Sequence, residues 1–135
     1  MHENEIAKII VDCAYKVHKR LGPGLLENVY QAALAYELGQ RGLKVAVERG
    51  IPVEYDNVRL NVGFRADIIV ENKVIIECKA IDALSPIHSR ILLTYLRLTD
   101  MHLGLLINFN VEYFKEGVRR VVNNLLEQDR REEQY

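Results

Sequence analysis

The stretch Arg65-Ala66-Asp67-Ile68-Ile69-Val70-Glu71-Asn72-Lys73-Val74-Ile75-Ile76-Glu77-Cys78-Lys79 decides how this chain is read. Ala66 to Val70 and Val74 to Cys78 are nearly continuous apolar runs, which suit strands buried on both faces. The polar Glu71-Asn72-Lys73 between them is a hairpin tip. Asp67, Glu77 and Lys79 do not fit a plain core. Burying an unpaired carboxylate is expensive, so each acid needs a partner, a metal or a raised pKa. Glu77 and Lys79 are two apart and share a strand face, while Cys78 points the other way. The place of Asp67 depends on register. If Val70 pairs with Val74 around a three-residue loop, Asp67 stands opposite Glu77 on the same face. A two-residue loop pairs Glu71 with Val74 and sends Asp67 to the opposite face. In the first register two like charges meet and call for a cation. The alternative is a buried Glu77–Lys79 ion pair with Asp67 capping a turn.

Upstream, Ile6, Ile9, Ile10, Cys13, Val17 and Leu21 have helical spacing. Gly22-Pro23-Gly24 ends that helix, and a second follows from Leu26 to Gln40. On it Glu27 heads an apolar stripe of Tyr30, Leu34 and Leu38, an unusual company for a carboxylate. Lys44–Glu48, Ile51–Tyr55 and Val58–Val62 alternate as short strands, the first two separated by Arg49-Gly50. Downstream, Ser85-Pro86 opens a third helix with a stripe of Ile87, Ile91, Tyr95 and Leu98. Leu103–Phe109 is a further buried strand, and Tyr113–Leu126 reads as a last helix. The expected order is α-α, antiparallel meander, α, β, α. That is an α/β (α+β-like) domain with a mixed central β-sheet flanked by helices, spanning 1–126, with a charged and frayed tail over 127–135.

Length and composition narrow the function. One domain of 135 residues leaves no room for a separate cofactor module. Eighteen Lys+Arg against nineteen Asp+Glu give a formal charge of −1, so a polyanion must be met by a local patch rather than by bulk charge. Lys16, Lys19, Arg20, Arg119 and Arg120 form a phosphate-binding rim only if the fold gathers them on one side. Two distant cysteines, Cys13 and Cys78, exclude a disulfide framework or zinc ribbon. Met1-His2-Glu3-Asn4-Glu5 carries acids where a signal peptide needs positive charge, and no apolar run is long enough for a membrane span. The expectation is a soluble cytoplasmic protein. A glycosidase would need a substrate cleft that so small a domain hardly provides.

Gly24-Leu25-Leu26-Glu27-Asn28-Val29-Tyr30 is a GxxExxY motif. Together with Arg65-Ala66-Asp67, Glu77-Cys78-Lys79, Leu105-Leu106-Ile107-Asn108-Phe109 and Gly117-Val118-Arg119-Arg120-Val121-Val122, the chain resembles the GxxExxY family of the PD-(D/E)xK nuclease-like superfamily. The resemblance implies a restriction-endonuclease-like core and a metal-dependent nuclease acting on DNA or RNA. It implies magnesium or manganese held by Asp67, Glu77 and the backbone carbonyl of Cys78, because hard cations prefer oxygen donors. It brings Glu27 to the metal site as a further ligand and accessory acid, directly or through water, and places Lys79 at the attacking water. Where the family pattern has a glutamine three residues after a histidine, this chain has Ile91 after His88. That departure, with the short length and neutral charge, favours the rival reading: a non-catalytic module that binds nucleic acid or protein. A symmetric dimer would double the contact surface of such a small domain.

Overall fold

A computed structural model describes residues 1–126; the expected charged tail over 127–135 lies outside the described residues. Helix α1 (Glu3–Leu21) has Glu3 and Glu5 in its first turn and His18, Lys19 and Arg20 in its last, so charge opposes the backbone dipole at both ends. Helix α2 (Glu27–Gln40) follows the Gly22–Leu26 turn. Strands β1 (Val45–Tyr55), β2 (Val58–Val70) and β3 (Val74–Lys79) form the antiparallel meander. Helix α3 (Pro86–Thr99) carries the chain across to β4 (Leu103–Asn108), which lies parallel to β3. A short 3-10 turn (Phe114–Gly117) then leads into β5 (Val118–Val122), antiparallel to β4. The mixed sheet has the order β1-β2-β3-β4-β5.

The sheet separates two cores. Ile68, Val70, Val74, Ile76, Cys78, Leu105 and Ile107 pack against α1 and α2 through Ile6, Ile10, Val17, Tyr30, Leu34 and Leu38. On the other face Ala66, Ile69, Ile75 and Leu106 meet Leu92 and Leu96 of α3. The parallel pair β3–β4 is therefore covered on both sides, the environment in which unbroken apolar runs are stable.

Three expectations are corrected. Arg49-Gly50 does not divide two strands: Arg49 pairs with Ala66 and Gly50 with Arg65, so β1 runs through, and β2 likewise runs unbroken from Val58 to Val70. The buried face of α3 is Leu92 and Leu96, while Ile87, Ile91 and Leu98 are exposed and Tyr95 is half-buried. The last helix is absent among the described residues: Tyr113–Leu126 forms the 3-10 turn, β5 and irregular backbone. Val118, Val121, Val122 and Leu125 mimic helical spacing, but β-branched valines also suit an edge strand. Gly117 sits so close to β4 that an added Cβ would lie 2.1 Å from the Asn108 carbonyl oxygen. Of the basic residues considered for a phosphate rim, Lys16 pairs with Glu37 at 3.0 Å and Arg120 donates to Asn4 Oδ1 at 2.8 Å.

Candidate metal and phosphodiester site

The β2–β3 hairpin adopts the three-residue loop: Val70 pairs with Val74, Ile69 with Ile75 and Ile68 with Ile76. The ladder stops there, one position short of Asp67 and Glu77. Beyond it carboxylates take over the backbone bonds. The Cys78 N–H donates to Asp67 Oδ2 at 2.9 Å, and the Asp67 N–H faces Glu77 Oε1 at 3.4 Å. Strand β2 is also irregular at this point. Phe64 and Ala66 pack with the α3 core whereas Ile68 and Val70 pack with the α1–α2 core, so the alternation breaks at Asp67. The β1–β2 ladder skips the same place, between Val47↔Ile68 and Arg49↔Ala66, and Glu48 across from it has φ 52°. Such a break re-aims a side chain that a regular strand would hold fixed.

Glu77 is 9% exposed, and its pKa is pushed up to about 8. Burial is the main cause and the Asp67 charge adds to it; the hydrogen bond from the Asp67 N–H opposes the shift, and a side-chain hydrogen bond with Asp67 favours the protonated form. Lys79, on the same strand face, pulls weakly the other way. The expected alternative of a Glu77–Lys79 ion pair does not form: the ion pairs among the described residues are Lys16–Glu37 and Arg41–Asp12. Cys78 turns its thiol into the α1–α2 core, and complete burial holds that thiol well above its ordinary pKa. Its peptide groups are placed differently. The Phe109 N–H takes the Lys79 carbonyl on the β4 side at 2.9 Å. By strand alternation the Cys78 carbonyl then lies on the β2 side, with its N–H, beside the acids.

Glu27 opens α2 and is half-buried. Burial raises its carboxyl, Lys79 opposes that, and Asp67 reinforces it, so Glu27 shares the electrostatic environment of the pair. Its placement follows from the surrounding motif. The Tyr30 hydroxyl donates to the Gly22 carbonyl at 2.6 Å and accepts from the Leu25 N–H at 3.1 Å, pinning the turn before α2. Its ring stacks on Phe109 at 4.7 Å. Gly24 has φ 102°, a backbone state that favours glycine, and its N–H donates to Asn110 Oδ1 at 3.0 Å. Tyr30 thus serves as a strut in the core rather than a chemical group.

Sequence reasoning missed Asn108 and Asn110. Asn108 is 1% exposed at the carboxyl end of β4. Its Oδ1 accepts from the Ile81 N–H at 3.1 Å and the Asn110 N–H at 3.2 Å, and its Nδ2 donates to the Ile81 carbonyl at 2.9 Å. Two asparagines flanking Phe109 at the end of an apolar strand were the available signal, because buried amides demand partners. His88 holds the start of α3, where the Ser85 N–H donates to its Nδ1 at 3.0 Å. Tyr95, stacked on Phe64 at 3.8 Å, reaches the site from α3, and burial together with Glu77 and Asp67 raises its hydroxyl pKa.

Among the described residues no three His, Cys, Asp or Glu side chains gather as a metal cage. Two carboxylates and a carbonyl still suit magnesium, which keeps several waters and uses only one or two protein carboxylates. A five-stranded mixed sheet with helices on both faces and acids where the β2–β3 ladder ends is an α+β fold of the restriction-endonuclease-like class. The family model of the PD-(D/E)XK nuclease superfamily matches residues 4–121, and the chain belongs to that superfamily. Comparison with curated proteins and with solved structures gives no match. Members of the superfamily generally use divalent metal ions. No helix among the described residues is long and apolar enough to cross a membrane.

Proposed function

We propose that this protein is a metal-dependent nuclease of the GxxExxY type that hydrolyses phosphodiester bonds of DNA or RNA. The observation that carries the reading is the Asp67–Glu77 pair: two acids hold each other's strand backbone, and Glu77 keeps its proton to about pH 8. Asp67, Glu77 and the Cys78 carbonyl would hold magnesium or manganese, which supplies Lewis acidity to the phosphoryl oxygen and the attacking water. Lys79 projects from the same face as Glu77; its ammonium orients the water and offsets phosphate charge. Glu27, outside any three-acid cage, acts through water as an accessory acceptor. Hydrolysis adds the water oxygen to phosphorus, breaks the ester P–O bond and returns the proton to the leaving alcohol.

The test is cleavage of single- and double-stranded DNA and RNA with magnesium or manganese. Glu77→Ala and Lys79→Ala should each abolish it; activity surviving both removes the mechanism. One observation favours the second reading, a binding module without catalysis. Ile91, 41% exposed on α3, stands where the family pattern has a glutamine, and it offers no hydrogen bond to water or to Lys79. Nucleic-acid binding without cleavage under any metal would establish that reading.

A further inference from the structure

A groove of about 860 Å³ runs between α3 and the edge strand β5, and Arg90, Arg97, Arg119 and Arg120 line it with no acidic side chain among its walls. In a chain of formal charge −1 this is a concentrated positive field. Arg120 is engaged by Asn4, and Arg119 donates to the carbonyls of Glu116 and Val118 at 3.0 Å. Arg90 and Arg97 are exposed and make no ion pair among the described residues. They stand seven residues apart on one face of α3, about 10.5 Å along the helix axis.

The groove and the carboxylates flank α3, whose Leu92 and Leu96 cover Leu106 between them. Glu77 pairs with Leu106, and Leu106 with Arg119, so the three lie in one row across the sheet and share a face. Two strand spacings put the Arg119 backbone about 10 Å from that of Glu77. The geometry points to this groove as a phosphate-backbone track, on which a nucleic-acid strand lies along α3. Guanidinium groups on a rigid helix pair with phosphate oxygens by forked hydrogen bonds, and such contacts fix position without reading sequence. The inference rests on the nuclease reading for its ligand class only, because binding needs neither metal nor catalysis.

The experiment measures anisotropy of labelled 20-nucleotide single strands and 20-base-pair duplexes in EDTA across a salt series, with intact thermal unfolding as the control for folding. The variants are Arg90→Gln/Arg97→Gln in the groove and Lys8→Gln/Arg20→Gln on α1, an equal loss of charge. Expected is at least about tenfold weaker binding for the groove variant, and a salt slope lower by about 1.4 on single strands or about 1.8 on duplex. The α1 variant should bind as the wild type does. The track is overturned if wild-type protein does not bind, or if the two double variants lose affinity equally. Cleavage assayed beside this separates the two ideas. Binding that depends on the groove arginines without metal-dependent cutting supports the track and removes the catalytic reading. Cutting with arginine-independent binding does the reverse.

Discussion

Glu77 is a carboxylic acid held away from water beside another acid, and that alone makes the protein sensitive to pH. Its folded pKa of about 8 stands above the ordinary 4.5, so the folded state binds more protons than the unfolded chain. Its contribution is full below about pH 4.5 and is lost as pH rises through about 8. Without divalent metal, stability measured by urea unfolding should fall by on the order of a few kcal/mol across that window. Glu77→Gln, permanently neutral, should flatten the profile and be the more stable protein at pH 8.5. A wild-type profile rising from pH 5 to 8 would contradict the buried, acid-coupled state of Glu77. Ile91 gives a second prediction at this scale. It is exposed, so Ile91→Gln should change stability by no more than about 0.5 kcal/mol. Under the nuclease reading the change should raise the cleavage rate at least severalfold, read as initial rate with manganese. An unchanged rate would exclude this position from the reaction.

Individual side chains reach the site because the elements beneath them are tied together at the carboxyl ends of β3 and β4. Asn108 holds the loop after Lys79, Phe109 takes the Lys79 carbonyl and stacks on Tyr30, and Asn110 holds the turn before Glu27. Asn108→Ala would leave the half-buried Ile81 N–H without its side-chain acceptor and its carbonyl with only the longer bond from Asn110 Nδ2 at 3.4 Å. It should cost about 2–3 kcal/mol in urea unfolding and lower metal-dependent cleavage further, by misplacing Lys79. Gly117→Ala drives a Cβ into the Asn108 carbonyl and should cost about 2–3 kcal/mol by overpacking, with loss of protection in β5 seen by hydrogen exchange. This scale also shows what could be read in advance. The meander, the covered strands β3 and β4 and the face shared by Glu77 and Lys79 follow from local pattern, because period two and unbroken apolar runs are direct consequences of strand geometry. Strand β5 was hidden because Val118, Val121, Val122 and Leu125 satisfy helical spacing as well, and only Gly117 against β4 decides between the two. The α3 stripe misled because Leu and Ile fill both of its faces, and the sheet chooses Leu92 and Leu96. The Asp67–Glu77 meeting was legible as one of two registers; the break in alternation at Asp67, where the ladder with β1 also skips, leaves no local trace. Asn108 and Asn110 depend on contacts more than twenty residues away.

For the whole molecule, the nuclease reading makes folding, proton binding and metal binding at the two acids one linked equilibrium. A cation that binds only the folded state stabilises it by RT ln(1 + [L]/Kd), about 1.4 kcal/mol at ten times Kd. In a domain of this size that is a rise in Tm on the order of 5 °C. The ion must displace the proton that Glu77 carries, so affinity should weaken by about tenfold for each pH unit below about 8. Magnesium therefore should raise Tm strongly at pH 8 and little at pH 6. This is the opposite of what general charge screening would give, since screening does not follow the titration of one carboxyl. Asp67→Asn removes one hard donor and should abolish the response, whereas Lys79→Gln, which is no ligand, should keep it while cleavage is lost. Thermal unfolding of the three proteins at both pH values, with and without magnesium, checks the scheme. If the wild-type Tm does not respond to magnesium at pH 8, or if Asp67→Asn responds equally, the acids are not the metal's seat.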